Sequence, residues 1–322
     1  MGGAPTNLDQ RKAQVFHPGE LAIQEATGVR EVAAANSRLI WRSVPDHVVP
    51  FITAQSYCVI GGVSGDGNTW AEFVVGTEGF AAIHDGGATV TMSLTSASGS
   101  KPQLDLAVGH YLGVLFIDLA TRKRLRVNGR IASISGQMLT LSVEQSYPNC
   151  PKYVQATRLT VSSTTRGPKG TVAGSTITPE VSNWIATADM FFVASATING
   201  QADVSHRGGK PGFVKINGQT LFIPDYPGNS MFSTLGNFLL RPLAGLTFLD
   251  FETNRMLQLT GDIELEFDAL GGMPASMDTG RWWAFKARKF VISSMSKEVS
   301  AEFIDASPFN PAVMPYPLKS VR

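Results

Sequence analysis

Short runs of β-branched and aromatic residues, broken by Gly, Asn, Asp and Ser, recur along the chain. The run Cys58-Val59-Ile60 enters the turn Ser64-Gly65-Asp66-Gly67, and Phe191-Phe192-Val193 enters Ile198-Asn199-Gly200-Gln201. Punctuation of this kind predicts strands joined by hairpins. The stretches Leu125 to Ile131 and Leu257 to Ile263 alternate apolar and polar residues, the period of half-buried strands. Helical patterns are few and short: Pro18 to Gly28, Gln103 to Tyr111, and Ser230 to Leu240, the last stopped by Arg241-Pro242. Because long amphipathic crossover helices are missing, an antiparallel β-barrel fits better than a parallel α/β sheet.

The pattern is written twice. Cys58 to Gly67 matches Phe191 to Gly200 at an offset of 133 (191 − 58), and Gly79-Phe80 matches Gly212-Phe213 at the same offset. Gly113 to Thr121 then matches Gly245 to Thr253 at 132 (245 − 113), followed by Leu125, Gly129 and Ile131 on Leu257, Gly261 and Ile263. One indel over this length indicates two copies of one unit. The expected organisation is an N-terminal arm with a helix (1–45), a first barrel (46–159), a Ser/Thr/Gly-rich linker (160–178) and a second barrel with a C-terminal extension (179–322). Two fused copies imitate a two-fold homodimer with a pseudo-symmetric interface. The chain as a whole is expected to be a monomer or a homodimer.

Composition narrows the function. The 322 residues are 43% hydrophobic and 16% charged, with Lys+Arg 27 against Asp+Glu 26, so neither disorder nor nucleic-acid binding is expected. The two cysteines, Cys58 and Cys150, form neither a zinc motif nor a disulfide framework, and no metal centre is expected. No apolar run reaches a membrane span and the N-terminus lacks a signal peptide's apolar segment, so a cytoplasmic location without membrane contact is expected.

The copies differ where polar chemistry sits. Copy two carries Ser205, His206, Arg207, Gly208, Gly209 and Lys210 where copy one is neutral or acidic. Two cations beside hydroxyl and glycine neighbours read either as a phosphate cradle or as a polar barrel rim. Ser205 and His206 are adjacent on a strand, which argues against a hydrolase pair. A second cluster runs from Pro224 through Asn229 and Ser230 to Asn237; Asn229 or Ser230 can cap a helix start, which is also an anion site. A third, Ser146 to Tyr153, uses Pro148 and Pro151 to present Asn149, Lys152 and Tyr153. On the alternating strand of copy one, Arg124, Arg126 and Arg130 share a face, open to an anion or to solvent. Arg281-Trp282-Trp283 edges a pocket or packs in a core.

Together these segments resemble the pyridoxamine 5′-phosphate oxidase-like, flavin-binding split-barrel superfamily, and within it the group with two tandem split barrels. The resemblance rests on Ser205-His206-Arg207-Gly208-Gly209 with Pro211-Gly212-Phe213, on Tyr226 to Ser230, Thr234 to Asn237 and Gln258 to Gly261, and on Asn149 to Tyr153 and His17 to Ala22. It implies flavin mononucleotide (FMN) between the barrels, with deazaflavin or haem as alternatives known in the superfamily. The phosphate is expected at Ser205 to Arg207, Lys210, Asn229 and Ser230, with Gln258 near the ring system and Asn149, Lys152 and Tyr153 reaching across. One departure stands out: Ser230-Met231 occupies a place where relatives often carry Arg or Lys. The implied function is an FMN-dependent oxidoreductase acting on a small molecule, with Tyr153 and His206 as candidates for orienting substrate or moving a proton. The alternatives are a haem-binding or haem-degrading barrel, with His206 or His17 as axial ligand, and a non-catalytic flavin module.

Overall fold

Both copies fold to one strand order in a computed structural model that describes residues 15–76, 78–96, 102–165, 170–266 and 279–313. In copy one the strands are β1 (Tyr57–Val63), β2 (Thr69–Val75), β3 (Ala81–His84), β4 (Thr89–Ser93), β5 (Thr95–Ser96), β6 (Tyr111–Asp118), β7 (Lys123–Ser135) and β8 (Met138–Pro148). They form one antiparallel sheet in the order β3-β4-β8-β7-β6-β1-β2-β5. Strands β9 (Ala156–Thr165) and β10 (Val172–Gly174) follow, within and beside the expected linker. Copy two has β11 (Met190–Ala196), β12 (Ala202–Gly208), β13 (Lys215–Asn217), β14 (Thr220–Pro224), β15 (Leu243–Asp250), β16 (Arg255–Glu266) and β17 (Trp282–Ser294), ordered β13-β14-β17-β16-β15-β11-β12. A last strand, β18 (Lys297–Asp305), returns to pair with β9 and ties the chain's two halves together.

The register repeats as well as the order. Cys58 opposes Val74 in copy one and Phe191 opposes Arg207 in copy two; Leu115 opposes Arg126, and Thr247 opposes Gln258. These pairs preserve the sequence offsets, so the indel falls between β2 and β6, and between β12 and β15.

Three apolar cores follow from the alternation. Ile60, Val74 and Phe116 belong to the first barrel, and Phe191, Phe248 and Trp283 to the second. Val59, Phe73, Phe192, Val204 and Met256 form a third core contributed by both copies. Strand β1 is therefore apolar on both faces because one face fills its own barrel and the other fills the interface. At the centre Gly61 meets Ala194, its own counterpart, and Val204. A Cβ on Gly113 would lie 2.8 Å from Asp203 Cα, and one on Gly245 would lie 2.5 Å from Trp70 Cα. Those two contacts exchange under the repeat offsets, which is what a two-fold interface written into one chain requires.

Among the described residues five α-helices decorate the sheets: α1 (Pro18–Ala26), α2 (Arg30–Asn36), α3 (Val49–Thr53), α4 (Pro179–Thr187) and α5 (Ser233–Leu240). The helix expected at Gln103 to Tyr111 does not form: Leu104 is buried against the core, Gly109 is left-handed, and β6 begins at Tyr111. Its counterpart α5 does form, and it packs on α1 through Gly19 and Gly236, where either Cβ would collide with the opposite backbone. Copy one lacks that partner, so its short pattern has nothing to fold against. Among the described residues no helix is long and apolar enough to cross a membrane.

Candidate functional site

Strands β7 and β12 face each other across the interface and set the site's floor. On β7, Arg124 and Arg126 point into the cleft, and a register shift at Asn128/Gly129 sends Arg130 outward. There its guanidinium lies 3.7 Å from the Tyr111 ring centroid and 3.3 Å from Glu144. The arginine face thus divides into two cleft residues and one at the surface. Arg126, 7% exposed, donates to both Asp203 oxygens at 3.0 and 2.8 Å and also to Ser205 Oγ. Tyr147 from β8 joins the same carboxylate at 3.0 Å. Arg124 has only carbonyl partners among the described residues, those of Cys150, Lys152 and His206. Burial first, with Arg126 and Arg207 nearby, pushes its guanidinium down to about 9.

One wall is the turn between β14 and α5. Ser230 and Phe232 are both left-handed, at φ 61° and 62°, a strain that non-glycine residues adopt only when their surroundings impose it. Here the N-terminal arm does so: Gln24 donates to the Met231 carbonyl at 3.1 Å, and Asn36 to that of Asn229 at 2.9 Å. The expected cap at Asn229 or Ser230 is replaced. Asn229 Oδ1 accepts from Met231 N at 3.1 Å, and the helix starts at Ser233 after Phe232, without a side-chain cap. Its first amides therefore keep their positive end toward the cleft. Met231 is buried with Phe16, Ala33 and Tyr147, which explains why no cation stands there.

The opposite wall is the Asn149 to Tyr153 loop. Tyr153, left-handed at φ 66°, lies 5.1 Å from the Tyr226 ring, and its hydroxyl donates to the Pro227 carbonyl at 2.9 Å. The two copies are thereby bridged at the mouth.

These elements enclose a cavity of about 320 Å³ whose lining includes the cations Arg124, Arg126, Lys152, Arg207 and Arg281. Two carboxylates answer them. Asp203 is committed to Arg126, and Asp225 is shared by Arg207 at 2.9 Å and Arg281 at 3.0 Å. The excess is three positive charges. Among the described residues several buried polar atoms lack partners: Nε of Arg124, Arg126 and Arg207, Oδ1 of Asn149, Oγ1 of Thr234, and both ring nitrogens of His206. Buried polar groups are normally satisfied, so this concentration sets the cavity apart from the rest of the described interior.

Of the residues singled out by sequence, Ser205, His206, Arg207, Asn229, Ser230, Asn149, Lys152 and Tyr153 line this cavity. Lys210 and Gln258 do not. Lys210 is exposed past the end of β12. Gln258 is 1% exposed at the pseudo-equivalent side of the interface, donating to the Ala71 carbonyl at 2.7 Å and Glu72 Oε2 at 3.1 Å. The alternation that aims Arg126 into one cleft aims its counterpart Gln258 into the other. Sequence reasoning leaves Arg124 and Arg126 open and names Asp225, Ser233 and Thr234 only as members of the Pro224 to Asn237 cluster; a helix start three residues downstream of the predicted cap singles out Ser233 and Thr234. Arg281 lines the cavity while Trp283 is fully buried in the second core.

Behind Arg126 and Asp203 lies a second cavity of about 170 Å³, sharing Ser233 and lined by His17, Glu20, Glu144 and Asp203. His17 caps α1: its Nδ1 accepts from Gly19 N at 3.2 Å and Glu20 N at 3.4 Å, while Glu20 accepts from His17 N at 2.9 Å. The His17-Pro18-Gly19-Glu20 segment thus starts α1 with a capping box, while its Gly19 makes the close contact with α5. Burial pushes the Glu20 carboxyl up to about 8.

No protein-family profile matches the sequence, and neither does any curated protein. Among solved structures the chain is similar to a HupZ variant from Group A Streptococcus, at 14% identity, over 35% of this chain and 97% of that one, with a TM-score of 0.29. It is similar to a Clostridium acetobutylicum protein related to general stress protein 26 of the pyridoxinephosphate oxidase family, at 15% identity over 39% and 92%, TM-score 0.27. It is also similar to HutZ, the heme storage protein of Vibrio cholerae, at 11% identity over 38% and 97%, TM-score 0.27. Two antiparallel bodies of one strand order, packed across a pseudo-two-fold interface, give this chain a fold of two tandem antiparallel β-barrels.

Proposed function

We propose that the larger cavity binds FMN and that the protein is an FMN-dependent oxidoreductase acting on a small molecule. The observation that carries this reading is the excess of three positive charges around a cavity with unpartnered buried donors. A phosphate monoester brings roughly two negative charges and three acceptor oxygens. Arg124, Arg207, Ser205 and the uncapped start of α5 are the groups suited to hold it. Tyr153 and Tyr226 supply aromatic surface at the mouth, where Lys152 and Arg281 remain to orient an anionic or polar substrate. Bound flavin supplies electron transfer; the chain's part is to position, to exclude water and to set the local potential. Asn149, Cys150 and Lys152 come from copy one and Arg207, Asp225 and Ser230 from copy two, so the site needs both barrels.

The test is the absorbance of purified protein, followed by titration with FMN. A two-band flavin spectrum, or saturable quenching of FMN fluorescence, supports the reading. A Soret band would replace it with the haem-binding alternative, and colourless protein that binds neither would remove both. Arg207→Ala should weaken FMN about 10- to 100-fold, the range for a charge-assisted hydrogen bond to phosphate. Unchanged affinity would sink the assignment of that side chain.

A further inference from the structure

His206 is the least explained side chain at the cavity. It is 5% exposed, yet neither ring nitrogen has a hydrogen-bond partner among the described residues. A neutral imidazole offers one donor and one acceptor, and leaving both unmet in a protein interior is uncommon. The ring stands edge-on to Phe192, its cross-strand neighbour, at 5.6 Å. Gly208 keeps space beside it, since a Cβ there would lie 2.9 Å from His206 Cε1.

The charged groups that bear on it are Arg124 from β7 and Arg207 from its own strand. Cys150 and Lys152 line the same cavity from the loop after β8. The nearby carboxylates are engaged elsewhere, Asp225 with Arg207 and Arg281 and Asp203 with Arg126. Burial and the two guanidiniums hold the ring neutral, its pKa well below the ordinary value.

We propose that His206 selects for a doubly charged phosphate ester, taking up one proton from solvent as the dianion enters beside Arg124 and Arg207. The inference rests on the phosphate-binding reading of this cavity and goes beyond it. A dianion at this position opposes both guanidiniums and so favours the charged imidazole. The protonated ring then has two N–H donors and no acceptor left to satisfy, which suits an all-acceptor ligand. The balance is one solvent proton, one neutral imidazole and one phosphate dianion giving an imidazolium beside the bound dianion. Affinity should fall about tenfold per pH unit as pH rises through the window between the free and ligand-bound pKa of His206, by proton linkage.

The experiment is calorimetric titration of the full chain with FMN at pH 7.5, in buffers of different ionisation enthalpy. The expected result is uptake of close to one proton per FMN, lost in His206→Asn while weaker FMN binding persists. Binding without proton uptake in the parent overturns the proposal, as does undiminished uptake in His206→Asn, which would place the proton on the ester. Histidine ¹⁵N shifts of the parent on adding FMN provide a readout that needs no variant. They should report conversion of one buried neutral ring to imidazolium, and a ring that stays neutral overturns the proposal. If FMN does not bind at all, the underlying reading fails first, and the inference goes with it.

Discussion

Replacing Glu20 with Gln should stabilise the protein increasingly as pH rises. Glu20 is 7% exposed, and its surroundings include His17, Ser233, Asp203 and Arg126. Burial dominates and raises the carboxyl from 4.5 to about 8; hydrogen bonds from His17 and Ser233 and the charge of Arg126 offset it in part, while Asp203 adds to it. The folded chain therefore binds a proton that the unfolded chain has released above 4.5. Stability from this group is complete below pH 4.5 and is lost as pH climbs through 8. At about 1.4 kcal/mol per pH unit, the loss between pH 5 and pH 8 is about 3–4 kcal/mol. Gln keeps the size and the acceptor for His17 N–H but carries no charge. For a chain of this length about 1.5 °C accompanies each kcal/mol, so Tm of Glu20→Gln relative to the parent should rise by about 5 °C over that range. Differential scanning calorimetry of both proteins at pH 5, 6, 7 and 8 measures it, and taking the difference cancels groups that Glu20 does not touch. A difference that is flat with pH, or that falls, would refute the buried neutral carboxyl.

Asp203→Ala should cost about 3–5 kcal/mol in urea unfolding, because it strands Arg126 in the interface, whereas Arg126→Met with Asp203→Leu should recover most of that loss; equal costs for single and double changes would count against the pair. Cys150 lines the cavity and Cys58 is fully buried, its thiol pushed up by burial, so iodoacetamide should modify Cys150 alone and FMN should slow the reaction. Labelling indifferent to FMN would put the ligand elsewhere. Gly245→Val drives a side chain into Trp70 Cα, 2.5 Å from its Cβ, and should lower Tm sharply; an unchanged Tm would mean the barrels do not approach so closely.

How far the sequence could be read follows from which contacts are local. The offsets of 133 and 132 reappear as the strand register itself, since a duplicated sequence must repeat its hairpins. Ser205, Arg207 and Asn149 were recognisable because each sits in a short polar cluster. Arg124 and Arg126 were ambiguous because a strand face reveals only that the side chains are together, not whether solvent or the second barrel covers them. Gln258 was placed near the ligand from resemblance alone, and the structure sets it across the pseudo-two-fold from Arg126. The cap at Phe232 is invisible in the sequence because it depends on Gln24 and Asn36, whose contacts reach across 207 and 193 positions.

The two halves of the interface were free to diverge because they belong to one chain. On one side Arg126, Tyr147, Asp203 and Ser205 meet; the register puts Gln258, Val291, Trp70 and Glu72 in the corresponding places on the other. A homodimer could not hold both sets, since a single substitution would alter both clefts. Burying the Arg126–Asp203 pair carries a desolvation cost that an apolar arrangement avoids. Among the described residues the second side holds no such ion pair in that place: Trp70 packs in the first core under Lys289 at 5.7 Å, and Gln258 bonds to Glu72 and backbone. Helix α5 and the N-terminal arm also lie with the charged side, through Gln24, Asn36 and Ser233, and the described residues of copy one build no equivalent helix. Charge, strained turn and covering arm thus converge on one cleft, and a positive excess of this kind is stable there only if a counter-charge meets it, which is what the FMN titration tests.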